Sequence, residues 1–123
     1  MKNEELTEKI IGAAIEVHRE LGPGLLESVY EECLCREFAM SRMRIERQKE
    51  LPVIYKGMPV GGHYRIDLVI GDSVIVELKS VEMLLRVHEA QVLTYMRMSG
   101  IGIGLLLNFN VDILQNGIKR FVL

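Results

Sequence analysis

Three residues in the middle of the chain combine types and spacing that suit hydrolytic chemistry. Asp67 lies inside the apolar run Tyr64 to Ile70. Glu77 and Lys79 lie at the end of a second apolar run, Val74 to Lys79. Both runs read as β-strands joined by Gly71-Asp72-Ser73, a turn signal. Alternate residues of a strand share a face, so Glu77 and Lys79 point the same way and Leu78 points the other. Register decides whether Asp67 joins them. A three-residue loop pairs Ile70 with Val74 and puts Asp67 opposite Glu77, Cβ atoms about 5 Å apart. A two-residue loop turns Glu77 to the wrong face. Two facing carboxylates in a central strand cost several kcal/mol unless they share a cation. Mg²⁺, which takes one or two carboxylates and leaves its other positions to water and phosphate, answers that need. An ammonium at Lys79 would then orient a water or stabilise charge growing on a phosphate. The plainer alternative is a salt-bridged strand end, with Glu77 and Lys79 paired and Asp67 paired to Arg65.

Two more pairs bear on the choice. Glu27 and Tyr30 are i,i+3 neighbours on a helix, with Glu27 on its apolar edge beside Leu26, Tyr30 and Leu34. Glu27 reads either as a site acid or as a first-turn acid complementing the helix dipole. Gln91 and Tyr95 are i,i+4 on a later helix, and either hold a phosphate and order the surroundings of Lys79 or cap a polar helix edge. His88, three residues before Gln91, could line the same pocket. His18 suits a helix C-terminus, and His63 precedes the Asp67 strand.

The elements that must position these groups follow from periodicity. Leu6, Ile10, Ala14, Val17 and Leu21 mark a helix over 4–21, stopped by Gly22-Pro23-Gly24. A second helix runs from Leu25 to Phe38, with Leu26, Val29, Tyr30, Cys33, Leu34 and Phe38 on its apolar face. Residues 44–55 read as extended, with Pro52 marking an edge or bulge, and Lys56-Gly57 as a turn. Gly61-Gly62 leads into the Asp67 strand. A third helix spans Val81 to Ser99 on a stripe of Leu84, Val87, Ala90, Leu93 or Thr94, and Met98. Ile101 to Leu107 reads as a strand buried on both faces. Asn116-Gly117 signals a hairpin and Ile118 to Leu123 a last strand. The order α-α-β-β-β-α-β-β makes an α/β (α+β) fold: a mixed central sheet flanked by helices, with one right-handed parallel crossover between 74–79 and 101–107.

At 123 residues the chain is expected to be a single domain, 1–123, with no repeat or linker dividing it. Hydrophobic residues at 49% and charged ones at 26% are a globular mix and exclude a disordered or low-complexity chain. No run is long and apolar enough for a membrane helix. Met1-Lys2-Asn3-Glu4-Glu5 lacks the layout of a signal peptide, and Cys33 and Cys35, two apart on a helix, do not face each other. A reduced, cytoplasmic protein is expected. A net charge of −2 argues against a broadly basic nucleic-acid binder. The basic run Arg42 to Lys49 reads as a solvated face. Met40, Met43 and Met58 fall in irregular or edge segments and are candidates for a partner surface.

Taken in order, a helix acid (Glu27), a hydrophobic-Asp strand (Ile66-Asp67), Glu-x-Lys one hairpin later (Glu77 to Lys79) and Gln-x-x-x-Tyr on the next helix (Gln91, Tyr95) resemble the PD-(D/E)xK nuclease superfamily. The last element is similar to its RecB-like exonuclease branch. Gly24-x-x-Glu27-x-x-Tyr30, with this length, resembles the small bacterial and archaeal GxxExxY proteins. The likeness spans about residues 10–123, and Ile66 stands where the superfamily name has proline. It implies Mg²⁺ (or Mn²⁺) on Asp67, Glu77 and the backbone carbonyl of Leu78, with Glu27 touching the metal directly or through water. Lys79 would assist the attacking water, and Gln91 and Tyr95 would support the site and the nucleic-acid backbone. The implied activity is metal-dependent hydrolysis of DNA or RNA phosphodiester bonds. The alternative is a nuclease-fold regulatory module that binds nucleic acid or protein, as a homodimer or with another partner, and cuts little by itself.

Overall fold

A computed structural model describes residues 3–123; Met1 and Lys2, the start of the N-terminal stretch considered above, lie outside it. Its elements, in order, are α1 (Glu4–Leu21), α2 (Glu27–Met40), β1 (Ile45–Tyr55), β2 (Met58–Ile70), β3 (Val74–Lys79), α3 (Arg86–Ser99), β4 (Ile103–Asn108), a 3-10 turn (Leu114–Gly117) and β5 (Ile118–Val122). The five strands lie side by side in sequence order. All pairs are antiparallel except β3 with β4, which run parallel because α3 carries the chain back between them. This is the expected α+β architecture with a mixed sheet.

Alternation along the central strands sorts the core into two layers. Val74, Val76 and Leu78 of β3 and Ile103, Leu105 and Leu107 of β4 pack under α1 and α2. Ile75 and Leu106 point the other way, against Val92, Tyr95 and Met96 of α3. Gly104 lets α3 settle onto β4: a Cβ there would stand 2.7 Å from Val92 and 2.8 Å from Met96, inside van der Waals contact. Helix α1 buries Ile10, Ala14 and Val17 as its periodicity predicts, while Leu21 ends half out at 36% exposure.

Several expectations are corrected. Helix α2 starts at Glu27, not Leu25, because Tyr30 closes the turn before it. Its hydroxyl donates to the Gly22 carbonyl (2.6 Å) and accepts from the Leu25 amide (3.1 Å), and its ring stacks on Phe109 at 4.4 Å. Leu26 and Val29 are exposed, and Glu31 and Cys35 are buried instead. Strand β2 begins at Met58 rather than Tyr64, so β1 and β2 form a long hairpin whose register shifts between Pro52 and Ile54. Helix α3 begins at Arg86 rather than Val81. The chain after β3 is pinned outside the helix: Asn108 accepts from the Val81 amide (3.1 Å) and donates to its carbonyl (2.9 Å), and Ser80 Oγ donates to the Leu25 carbonyl (2.6 Å). The buried face of α3 is Val92, Tyr95 and Met96, not the Leu84-Val87-Met98 stripe. Asn116-Gly117 closes a 3-10 turn rather than a two-residue hairpin.

Candidate active site

The β2–β3 ladder has the register that an odd loop requires: Ile70 faces Val74, Val69 faces Ile75 and Leu68 faces Val76. One step further, where Asp67 would pair with Glu77, the backbone pairing stops. The carboxylates take over the bonds. Glu77 Oε2 accepts the Asp67 amide at 2.6 Å, and Asp67 Oδ2 accepts the Leu78 amide at 2.9 Å. The strands part there, and each acid satisfies an amide left orphaned on the other strand.

Glu77 is 2% exposed. Burial, then the neighbouring Asp67 charge, push its carboxyl up to about 8. Burial also raises Asp67, and the Glu31 charge adds to it, while the Leu78 amide bond and Lys79 pull back. Among the described residues neither acid forms a salt bridge, Glu77 with Lys79 included, and Asp67 takes the Leu78 amide and Gln48, not Arg65. The salt-bridged strand end is therefore not what the chain forms. Hard, negatively charged oxygens, held in a dry place without full compensation, suit a hard divalent cation. Beyond the oxygen that a backbone amide takes, Glu77 keeps Oε1 and Asp67 keeps Oδ1, which only a long contact from Gln48 reaches (3.5 Å), so the residues present fit such an ion. Among the described residues no three His, Cys, Asp or Glu side chains converge on one point.

Two cavities flank the pair. Asp67 and Leu78 line one with Glu27, Ser28, Glu31 and Gln48. Lys79, Gln91 and Tyr95 line the other with Tyr64 and His88. Glu77 is buried between Asp67, whose amide it bonds, and Tyr95, whose pKa it helps burial to raise. The structure thus brings Asp67, Glu77 and Lys79 to one strand end, with Gln91 Nε2 bonded to the Tyr95 hydroxyl at 2.9 Å beside them. Glu27 is exposed at the rim, where its carboxylate accepts the Ser80 amide at 3.3 Å. It is not on an inward edge, but it reaches the backbone next to Lys79. Tyr30 stays out of the site and sets where α2, and so Glu27, begins.

Two residues of this neighbourhood escape a reading from spacing. Glu31 is 8% exposed and holds Arg47 Nη2 at 3.0 Å and Gln48 Nε2 at 2.7 Å. That bond to Glu31 raises the Arg47 pKa further. Gln48 falls opposite Asp67 between the pairs Arg47–Leu68 and Lys49–Ile66. Its amide also lies 3.5 Å from Asp67 Oδ1. Its backbone has φ +51°, a left-handed conformation that a non-glycine residue seldom takes within a strand. Gln48, Asp67 and Glu77 so form one row across three strands. The signal in the sequence was a charged residue, Glu31, directly after a buried tyrosine.

Comparison with known families agrees with this geometry. The family model of the PD-(D/E)XK nuclease superfamily matches residues 4–121, and the chain belongs to that superfamily. Its members are nuclease-type proteins that generally use divalent metals. Neither curated proteins nor solved structures give a match. No described helix is long and apolar enough to cross a membrane.

Proposed function

We propose that residues 1–123 act as one catalytic domain, a Mg²⁺- or Mn²⁺-dependent nuclease of the RecB-like branch and the GxxExxY type, working on DNA or RNA in the cytoplasm. The observation that carries this reading is the opened β2–β3 ladder, which leaves Asp67 and Glu77 as a buried, undercompensated acid pair. Asp67 and Glu77 would hold the ion together with the Leu78 carbonyl, and Glu27 would reach it through water. Such an ion, when bound, supplies a more acidic water and charge stabilisation at phosphate. Lys79, two residues after Glu77 on the same strand, orients the attacking water and places an ammonium where negative charge grows. Gln91 and Tyr95 hold each other beside Lys79 and support the substrate backbone.

Lys79→Ala tests the enzyme directly. Its kcat on a cleaved oligonucleotide should fall about 100- to 1,000-fold, the usual loss of one charge-stabilising group, while Mn²⁺ affinity is kept. Equal cleavage by variant and wild type would contradict the role.

A second reading rests on a separate observation. The β1–β2 hairpin leaves the sheet with Ile54, Tyr55 and Met58 at 51%, 63% and 66% exposure. An apolar tip of this kind suits docking to a second copy or another protein. The chain would then be a nuclease-fold module that works through its partner.

A further inference from the structure

Beside Lys79 lies a cavity of about 450 Å³, bounded by Tyr64, Val87, His88, Gln91 and Tyr95. That volume is within the range of small-ligand sites. Besides Lys79 of β3, its walls come from β2 and α3. The hairpin strand β2 supplies Tyr64, 38% exposed, tilted 56° to Tyr95 with ring centroids 5.6 Å apart. The first turn of α3 supplies Val87, 66% exposed. An aromatic ring and a branched aliphatic therefore both line an open cavity, and neither belongs to the buried core.

The polar groups of the slot are arranged for an edge. His88 Nδ1 accepts the Leu85 amide at 3.0 Å, so in the neutral ring Nε2 carries the proton as a donor. Gln91 gives one N–H to the Tyr95 hydroxyl, which leaves its carbonyl as an acceptor and its second N–H as a donor. A flat group with apolar faces and a mixed donor–acceptor edge meets these requirements, and a nucleobase is such a group.

We propose that this cavity binds one unpaired nucleobase, next to the phosphate held at Lys79, so that the substrate is single-stranded or locally unpaired nucleic acid. The proposal rests on the nuclease reading for its substrate and adds the strandedness. A base in a duplex has its faces covered by neighbours and cannot enter the cavity that Tyr64 and Val87 line. An unpaired base can stack there whatever its sequence.

Fluorescence anisotropy without added metal measures binding with nothing cut. The probes are a labelled DNA strand, its RNA counterpart, the duplex of each, and strands with abasic positions. Unpaired strands should bind at least about tenfold tighter than duplexes, and abasic positions should cost about tenfold, the usual loss of one stacked base. Tyr64→Ala should lose as much for intact strands, and Tyr64→Phe should keep wild-type binding. The DNA and RNA arms show which backbone is preferred. Equal binding of strand, duplex and abasic strand overturns the base slot, as does unchanged binding by Tyr64→Ala or no binding of any probe. A parallel Mg²⁺ cleavage assay separates the two claims. Cleavage with no abasic or Tyr64 effect on binding removes the slot and keeps the nuclease. An abasic effect on binding with no cleavage keeps the slot and removes the nuclease.

Discussion

The same two strands behave differently at their two ends. From Leu68 to Ile70 and from Val74 to Val76, β2 and β3 pair regularly, and every side chain is buried and apolar. One residue further, at Asp67 and Glu77, side chains replace the backbone ladder and two acids occupy the gap. The first end is held by burial and the ladder. The second is held by carboxylate–amide bonds and strained by charge. The difference places the candidate site where the sheet gives up its own pairing, beside a rigid apolar floor that keeps the acids from relaxing apart.

Changes at the regular end should cost stability and leave cation binding alone. Ile75→Ala, at a fully buried position under α3, should destabilise the fold by about 2–5 kcal/mol in urea unfolding, with Mn²⁺ affinity of the folded protein unchanged. A large loss of affinity would mean that the two ends are not separable.

The acidic end should respond to pH in the direction opposite to an ordinary paired carboxylate. Glu77 titrates at about 8 instead of 4.5, so between those values the folded chain holds a proton that the unfolded chain has released. Stability from this group is complete below about 4.5 and is lost as pH rises through about 8. Asp67 adds in the same sense. The metal-free Tm should therefore fall across this window, and Mn²⁺ should restore it most at the alkaline end. Glu77→Gln should flatten the profile. A metal-free Tm that rises with pH would contradict the origin given for the shift. Asp67→Asn should also raise the metal-free Tm, by relieving the repulsion.

A smaller effect sharpens the row across β1, β2 and β3. Gln48 touches Asp67 only at 3.5 Å but is anchored by Glu31 at 2.7 Å. Gln48→Ala should weaken Mn²⁺ binding about tenfold, as outer partners of metal ligands do, with little change in Tm. No change in calorimetric affinity would reduce Gln48 to a bulge residue.

The site was legible where local rules govern it. Helix α1 and strand β3 follow from periodicity, whereas loop length left two registers open for β2 and β3, and the structure supplies the one that pairs Ile70 with Val74 and carries Asp67 to Glu77. What was not legible depends on contacts far apart in sequence. Asn108 and Glu27 hold the chain after β3, so α3 starts late and presents Val92, Tyr95 and Met96 to the sheet, although Val87 and Met98 have equally good spacing. Glu31 joins the site from seventeen residues before Gln48, a distance no periodic pattern registers. Gly61-Gly62 leads into the Asp67 strand as its start, yet β2 runs on through it to Met58, with the two glycines in the stretch where the β1–β2 register shifts and pairing resumes at Pro59 and Met58.

The central claim is that Asp67 and Glu77 are built to share a cation. Isothermal calorimetry of Mn²⁺ with wild type, Asp67→Asn and Glu77→Gln tests it without choosing a substrate. Saturable binding by the wild type, lost in both variants while each remains folded, is the predicted result. Binding that survives in both variants would contradict it.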